Sequence, residues 1–160
     1  MVYFNGLENR RAERPRGFES LSLREKKKKQ NGKMAKVIRN CILNGEKIGE
    51  NAFNIYRGYI FGNPYTHIRN KETKALVKVK TRDEAIAMYD KYFDAMIADE
   101  GEAGKRFRQA FDELYEAYKK FDVIYLNCYC REDESCHGDI IRKKLIQRSM
   151  KEKLSNVRKP

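Results

Sequence analysis

Apolar and polar residues alternate over KVIRNCILN, residues 36–44, and with the β-branched Val37, Ile38 and Ile42 among them the stretch predicts a first strand. NIYRGYIFGNPY, residues 54–65, begins as a strand and then turns at Gly62-Asn63-Pro64. Glycine relaxes the dihedral limits there, and Pro64 drives Asn63 out of the helical region. THIRNKETKALVKVK reads as a hairpin, with arms at 66–69 and 75–80 across a polar turn. Thr81-Arg82-Asp83-Glu84 is a capping box, in which Thr81 and Glu84 bond each other's backbone, and Ala85, Met88, Tyr89, Tyr92, Phe93 and Met96 follow at helical spacing. After GEAGKR a second helix is expected from about Lys105 to Lys120, with Phe107, Phe111, Leu114, Tyr115 and Tyr118 as its apolar stripe. FDVIYLNC, residues 121–128, is a continuous apolar run, as in a central strand covered on both sides. A last helix is expected from about His137 to Lys153, facing Ile140, Ile141, Leu145 and Ile146 inward. The fold class expected is α/β: a small single domain over residues 34–154, a mostly parallel central sheet flanked by helices, a hairpin insertion near residues 66–80, and a tail from 155 to 160.

The length of 160 residues suits one domain. No apolar run approaches the ~18 residues of a membrane span, and no h-region opens the chain. The expectation is therefore a cytoplasmic protein with no membrane partner, whose four cysteines are free thiols or metal ligands. The net charge of +12 divides evenly. Residues 1–33 carry ten Lys/Arg against four Glu, and residues 34–160 carry twenty-five against nineteen Asp/Glu, so each part contributes +6. The first 33 residues have no sustained period and scatter Pro, Gly and Ser among charges. They read as a disordered basic extension, a nucleic-acid-binding arm, or a mis-assigned start. The last is preferred, because Arg16–Leu21 can be encoded by AGA GGG TTC GAG TCC CTC, whose ends are complementary like a transfer-RNA T-arm. Gly32 and Lys33 can then encode a ribosome-binding sequence ahead of Met34. From residues 34–160 only weak, salt-sensitive nucleic-acid binding is expected, since the charge is spread over helices such as IRKKLIQRSMKEK.

CYCREDESCHGD, residues 128–139, holds three of the four cysteines and one of the two histidines. GNPY after a strand, TRDEAIAMYDKY opening a helix, and a buried strand ending in CYC before CHGD resemble the family called domain of unknown function 4326. The resemblance covers roughly Val37 to Leu145. That family has a GNPF-like motif, a C-W-C then C-H-G-D or C-H-A-D ending, and is common in bacteriophages and bacteria. Here Tyr129 stands for the Trp and Tyr65 for the Phe, and the segments near 68–80 and 98–104 are longer. The resemblance implies a fold more than a function.

In open α/β sheets, ligands bind beyond the carboxyl ends of strands, where helix N-termini offer free amides. Cys128 and Cys130 lie at such a strand end, and Cys136, His137 and Asp139 at the start of the next helix, with Arg57, Gly62 and Asn63 on a second loop. These residues are expected to converge on one pocket for a phosphate-bearing nucleotide or nucleoside-like ligand. Arg57 would bind phosphate and Asn63 a sugar or base, with Gly62, Cys128 and Cys130 completing the binding set. His137 and Asp139 would handle protons, with Cys136 as a thiolate favoured by the helix terminus. Glycosidic-bond cleavage or transfer is the preferred chemistry, with no cofactor. One alternative is a nucleic-acid-binding module using basic surfaces. Another is a zinc-binding structural protein with Cys128, Cys130, Cys136 and His137 as ligands, although C-x-C followed by adjacent C-H lacks the spacing of common zinc knuckles. For single residues packing suffices as an explanation, and His67 is expected to be solvated and Cys41 to lie in the core.

Overall fold

Along the chain run β1 (Lys36–Cys41), β2 (Ala52–Asn54), β3 (Tyr65–Thr66), β4 (Val77–Lys78), α1 (Arg82–Ala98), α2 (Glu102–Lys120), β5 (Val123–Cys128) and α3 (His137–Val157). The computed structural model describes residues 34–68 and 74–157, all within one compact unit, Gly32–Pro160. The expected basic extension and the connection at 69–73 lie outside the described residues, as do residues 158–160. The main sheet has the order β1-β5-β2, both pairings parallel, so the apolar run at 123–128 is the central strand. This is the α/β architecture with a small parallel sheet that the mixed strand and helix periods imply. No described helix is long and apolar enough to cross a membrane.

The parity of β5 sorts its side chains. Ile124, Leu126 and Cys128 are buried in the core with Phe93 of α1, Phe107, Phe111 and Leu114 of α2, and Ile141 and Leu145 of α3. Burying a residue of this size removes about 1.5–3 kcal/mol worth of apolar surface from water. The opposite parity of β5 meets the chain segment after β1. There Asn127 sits opposite Asn40 of β1 and Asn54 of β2, so three asparagines cross the sheet in register. Asn127 Nδ2 donates to Asn54 Oδ1 and to the Lys47 carbonyl, both at 2.8 Å. Its Oδ1 accepts from Asn40 Nδ2 at 2.9 Å and from the Lys47 amide at 3.3 Å. A fully buried amide is tolerated here because both of its ends are satisfied.

Several element boundaries differ from the sequence expectation, for local reasons. The first strand stops at Cys41 rather than continuing to residue 44, because Ile42–Asn44 form a 3₁₀ turn closed by Gly45 at φ 107°. The strand expected from residue 54 lies earlier, at 52–54, and pairing ends there because Asn54 already faces Asn127 near the end of β5. The hairpin near 66–80 is corrected: β3 and β4 pair in parallel, Tyr65 with Val77 and Thr66 with Lys78. The connection from Thr66 to Val77 contains no Asn-Gly or Asp-Gly pair and is far longer than a tight turn. Such a length lets the chain return and run in the same direction.

Thr81 Oγ accepts from the Glu84 amide at 3.1 Å as a capping box requires, but Glu84 Oε2 accepts from Lys80 N, one residue before the expected partner. The second helix starts at Glu102, three residues early. Asp99 accepts from the Gly101 and Gly104 amides at 3.0 and 2.9 Å, and a Cβ on Gly104 would fall 2.0 Å from the Asp99 carbonyl oxygen. The last helix continues to Val157, through the first part of the expected tail.

Three of the six Lys and Arg residues of α3 are tied to the neighbouring helices. Lys143 and Lys144 reach Asp90 of α1 at 2.8 and 2.6 Å, Lys144 also reaches Asp94 at 2.7 Å, and Arg148 reaches Asp112 of α2 at 2.6 Å. Hydrogen bonds from Lys143 and then Lys144 hold the Asp90 carboxyl below its ordinary value. A depressed carboxyl stabilises the fold above the unfolded pKa, and that stability is lost as pH falls through the folded one. Asp90→Asn is therefore expected to cost about 0.5–1 kcal/mol at neutral pH. The gap between parent and variant in urea unfolding should close on acidification below about pH 3.9. Asn127→Ala strands partners on both edge strands and should cost about 3 kcal/mol by the same measurement. An unchanged midpoint would show that the asparagine row contributes nothing to the sheet.

Candidate functional site

β5 ends at Cys128, the chain turns through residues 129–136, and α3 begins at His137. Extended backbone faces residues two apart the same way. The Sγ atoms of Cys128, Cys130 and Cys136 all lie within 4.8 Å of one another, with Cys136 Sγ 3.6 Å from Cys128 Sγ. Cys136 also caps α3, its sulfur accepting from the Gly138 amide at 3.3 Å, while Asp139 Oδ2 accepts from the Cys136 amide at 3.4 Å. Sulfur stands in the place of an N-cap hydroxyl, taking the second amide of the helix rather than the third as in a capping box, while the third residue's carboxylate returns to the cap amide. The Cys136 thiol is held well below its ordinary value by donation from Cys128, then Cys130, assisted by the Gly138 amide and Arg39, all against burial. Cys128 is pushed up correspondingly, by its hydrogen bonds to Cys130 and Cys136 and by burial.

His137 is buried edge-on against the Tyr89 ring, with centroids 5.0 Å apart. Its Nε2 lies 2.7 Å from the Ile55 carbonyl, which can only accept, so Nε2 carries the hydrogen. Nδ1 is left facing Cys136 Sγ at 3.6 Å. The bond to Ile55 fastens the start of α3 to the end of β2.

The second loop, residues 55–64, folds on itself. Arg57 donates from Nε to the Asn63 carbonyl at 3.0 Å and from Nη2 to the Tyr65 carbonyl at 2.9 Å, and burial lowers its pKa. Asn63 Oδ1 accepts from the Tyr65 amide at 2.9 Å, and Nδ2 donates to the Ala85 carbonyl at 3.3 Å. Gly62 owes its place to close approach, since a Cβ there would lie 2.9 Å from Arg57 Cα and from the Tyr56 carbonyl oxygen. Its φ is not positive, so the expected dihedral freedom is not what it supplies.

Between the two loops and the start of α1 lies a cavity of about 400 Å³. Of the residues singled out in the sequence, Arg57, Asn63, Cys130, Cys136 and His137 line it. Cys128 is buried behind Cys136, and neither it, Gly62 nor Asp139 belongs to the lining. Asp139 instead pairs with Arg39 Nε at 3.2 Å. Cys41 is buried, as expected.

The cavity also has walls that no motif announced. Arg82 holds Glu134 with its Nη2 and Nη1 atoms, at 3.1 and 3.2 Å, and both residues line it. Lys74 and His67 also line it. Tyr129 is 58% exposed at the mouth, its ring edge-on to Tyr56 with centroids 5.2 Å apart. Arg39 stands outside the cavity and shapes it, donating to the Glu132 and Glu134 carbonyls at 2.8 Å each besides its pair with Asp139. Burial works against the Arg39 charge, but Asp139 and Cys136 raise its pKa on balance. One signal for it existed: Arg39 shares strand parity with Val37 and Cys41, so a charge was being placed on an inward face.

Replacing Arg39 with Met keeps the stem and removes three anchors of the 131–139 turn. Hydrogen exchange should show residues 131–136 losing protection while β5 keeps it, with a stability loss of about 2 kcal/mol. Protection unchanged across 131–136 would show that the turn holds itself.

A family described as Domain of unknown function (DUF4326) matches residues 25–147, and the chain belongs to it. No curated protein and no solved structure matches the chain.

Proposed function

We propose that this member of the DUF4326 family binds a phosphate-bearing nucleotide or nucleoside-like ligand in the cavity between residues 57–67 and the Cys128–Asp139 turn. One observation carries the reading: a cavity of about 400 Å³ joins a cationic rim, an exposed tyrosine and the start of a helix. That volume lies in the lower part of the range for small-molecule sites, which suits a mononucleotide. Arg82 and Lys74 are the phosphate contacts in this reading, with Arg57 behind them using the guanidinium edge that its loop leaves over. Tyr129 offers the base a face to stack on, as aromatic side chains do wherever unpaired bases are held.

The chemistry proposed is cleavage or transfer at a glycosidic bond, with His137 as acid and base through Nδ1. Nε2 is engaged with Ile55, so Nδ1, which faces Cys136 Sγ at 3.6 Å, is the atom that would exchange a proton with a bound group displacing that contact. Cys136, whose thiol is held below its ordinary value by donation from Cys128, is the group placed to stabilise a forming cation in this reading. Asp139 acts through others, fixing the Cys136 amide and Arg39. Asn63 shapes the cavity by its turn, since both ends of its amide already have backbone partners.

Isothermal titration of the reduced full chain against nucleoside mono- and diphosphates tests the binding. One class should bind, and Tyr129→Ala, which removes an exposed ring, should weaken it by about tenfold or more, in line with a stacking contribution of ~1–3 kcal/mol. Lys74→Ala should weaken phosphorylated ligands and leave free nucleosides unchanged. No heat from any nucleotide at millimolar concentration, or tight binding of single-stranded DNA at ~0.15 M salt in their place, would overturn the reading in favour of a nucleic-acid-binding module.

The structural-zinc alternative draws on the convergence of the three thiols. Its proposed fourth ligand, His137, is turned with Nε2 on the Ile55 carbonyl and approaches only Cys136 with Nδ1.

A further inference from the structure

We infer that Cys128, Cys130 and Cys136 form a site for one zinc ion with three thiolate ligands and a fourth position open to the cavity. The distances favour it first. A tetrahedral ion with Zn–S bonds of ~2.3 Å holds its sulfurs about 3.8 Å apart. Cys128 and Cys136 already stand 3.6 Å apart, and the third sulfur is within 4.8 Å of both, so closing on an ion requires shifts of about 1 Å or less.

The ligand count comes next. Among the described residues, no other His, Cys, Asp or Glu atom joins this group. Structural zinc sites close with four protein ligands, whereas sites that bind water or substrate keep three and leave a position free. Placement then says where the free position points. Cys128 lies behind, while Cys130 and Cys136 form part of the cavity wall, so the side of the trio left uncovered is the cavity side.

Charge balance is also provided. Three thiolates around a divalent cation leave one net negative charge. The Gly138 amide donates to Cys136 Sγ at 3.3 Å, and that amide belongs to the first turn of α3, whose dipole favours negative charge. Outer-shell N–H donors to ligand sulfurs are the usual companions of thiolate centres. A disulfide would account for only two of the three sulfurs and would give no reason for Cys130 to converge on them.

The inference does not rest on the nucleotide reading, and its test uses metal alone. The reduced, chelator-treated full chain is titrated with cobalt(II), whose thiolate charge-transfer and tetrahedral ligand-field bands report sulfur coordination, and then with zinc. The expected result is one cobalt per chain, displaced by one zinc. Cys130→Ser, at a partly exposed position, should weaken the apparent affinity about 100-fold or more, beyond the ~10–100-fold that loss of an outer-shell partner costs. Cys41→Ser should titrate like the parent. Added imidazole should shift the ligand-field bands by entering the free position. Three results would overturn the inference: no thiolate band at stoichiometric cobalt, a Cys130→Ser titration identical to the parent's, or bands that excess imidazole leaves unmoved, which would mean a closed site.

Discussion

The parallel pairing of β5 on both of its edges is the constraint from which the rest of the molecule follows. A strand hydrogen-bonded on two sides and covered on two faces has no freedom to slip, because a shift of one residue would carry Asn127 into the apolar core and Leu126 out of it. The asparagine row reinforces this. Asn127 meets Asn40 and Asn54 only in the observed register, and any other would leave a buried amide without partners, at about 1–3 kcal/mol for each stranded group. Apolar burial stabilises the sheet, and the row of amides selects which sheet it is.

That register also locates the site. Cys128 is the last residue of β5 and shares its parity with Ile124 and Leu126, so its thiol emerges at the carboxyl end of the sheet on the helical side. Helix α3 starts nine residues after Cys128, and its first turn packs so closely that a Cβ on Gly138 would lie 3.0 Å from Ile55 Cδ1. A serine cap at position 136 would satisfy the helix equally well. Sulfur in that place adds a soft, polarisable atom next to two other sulfurs, at a point where backbone amides favour negative charge. His137 and Arg39 then brace the turn from opposite sides, one to the end of β2 and the other from within β1.

Signals that depend on residues near in sequence were legible. The central strand, the Thr81 cap, the aromatic stripe of α2 and the meeting of CYC with CHGD all follow from spacing along one segment, and the structure places them accordingly. What depended on distant partners was not legible. The polar stretch after Thr66 reads as a hairpin because its composition suits a turn, yet composition does not encode strand direction, and the pairing is parallel. Arg57 and Asn63 read as ligand contacts because they are polar residues in a loop. Arg57 spends two donors on the Asn63 and Tyr65 carbonyls, and both ends of the Asn63 amide are taken by the Tyr65 amide and the Ala85 carbonyl of α1, which only the fold reveals. Arg82 and Tyr129 read as an ordinary first-turn residue and a departure from a tryptophan, and they became cavity walls only when α1 and the 129–136 turn came together.

Net charge shows the same division between composition and placement. A basic excess on residues 34–160 suggests a surface for polyanions, but on α3 Lys143, Lys144 and Arg148 all reach carboxylates of α1 and α2. Those charges bind helices to one another, and what they offer a partner is screened by their own counter-ions. At the cavity Arg82 is likewise paired with a carboxylate, that of Glu134, and Arg57 is held by the Asn63 and Tyr65 carbonyls, while Lys74 has no hydrogen-bond or ion-pair partner among the described residues. Donors already held in place avoid the ordering cost that a flexible side chain incurs on binding, whereas a side chain such as Lys74 would have to be ordered. Placement rather than the count of lysines and arginines therefore decides which cations are already compensated: Arg82, Lys143, Lys144 and Arg148 are.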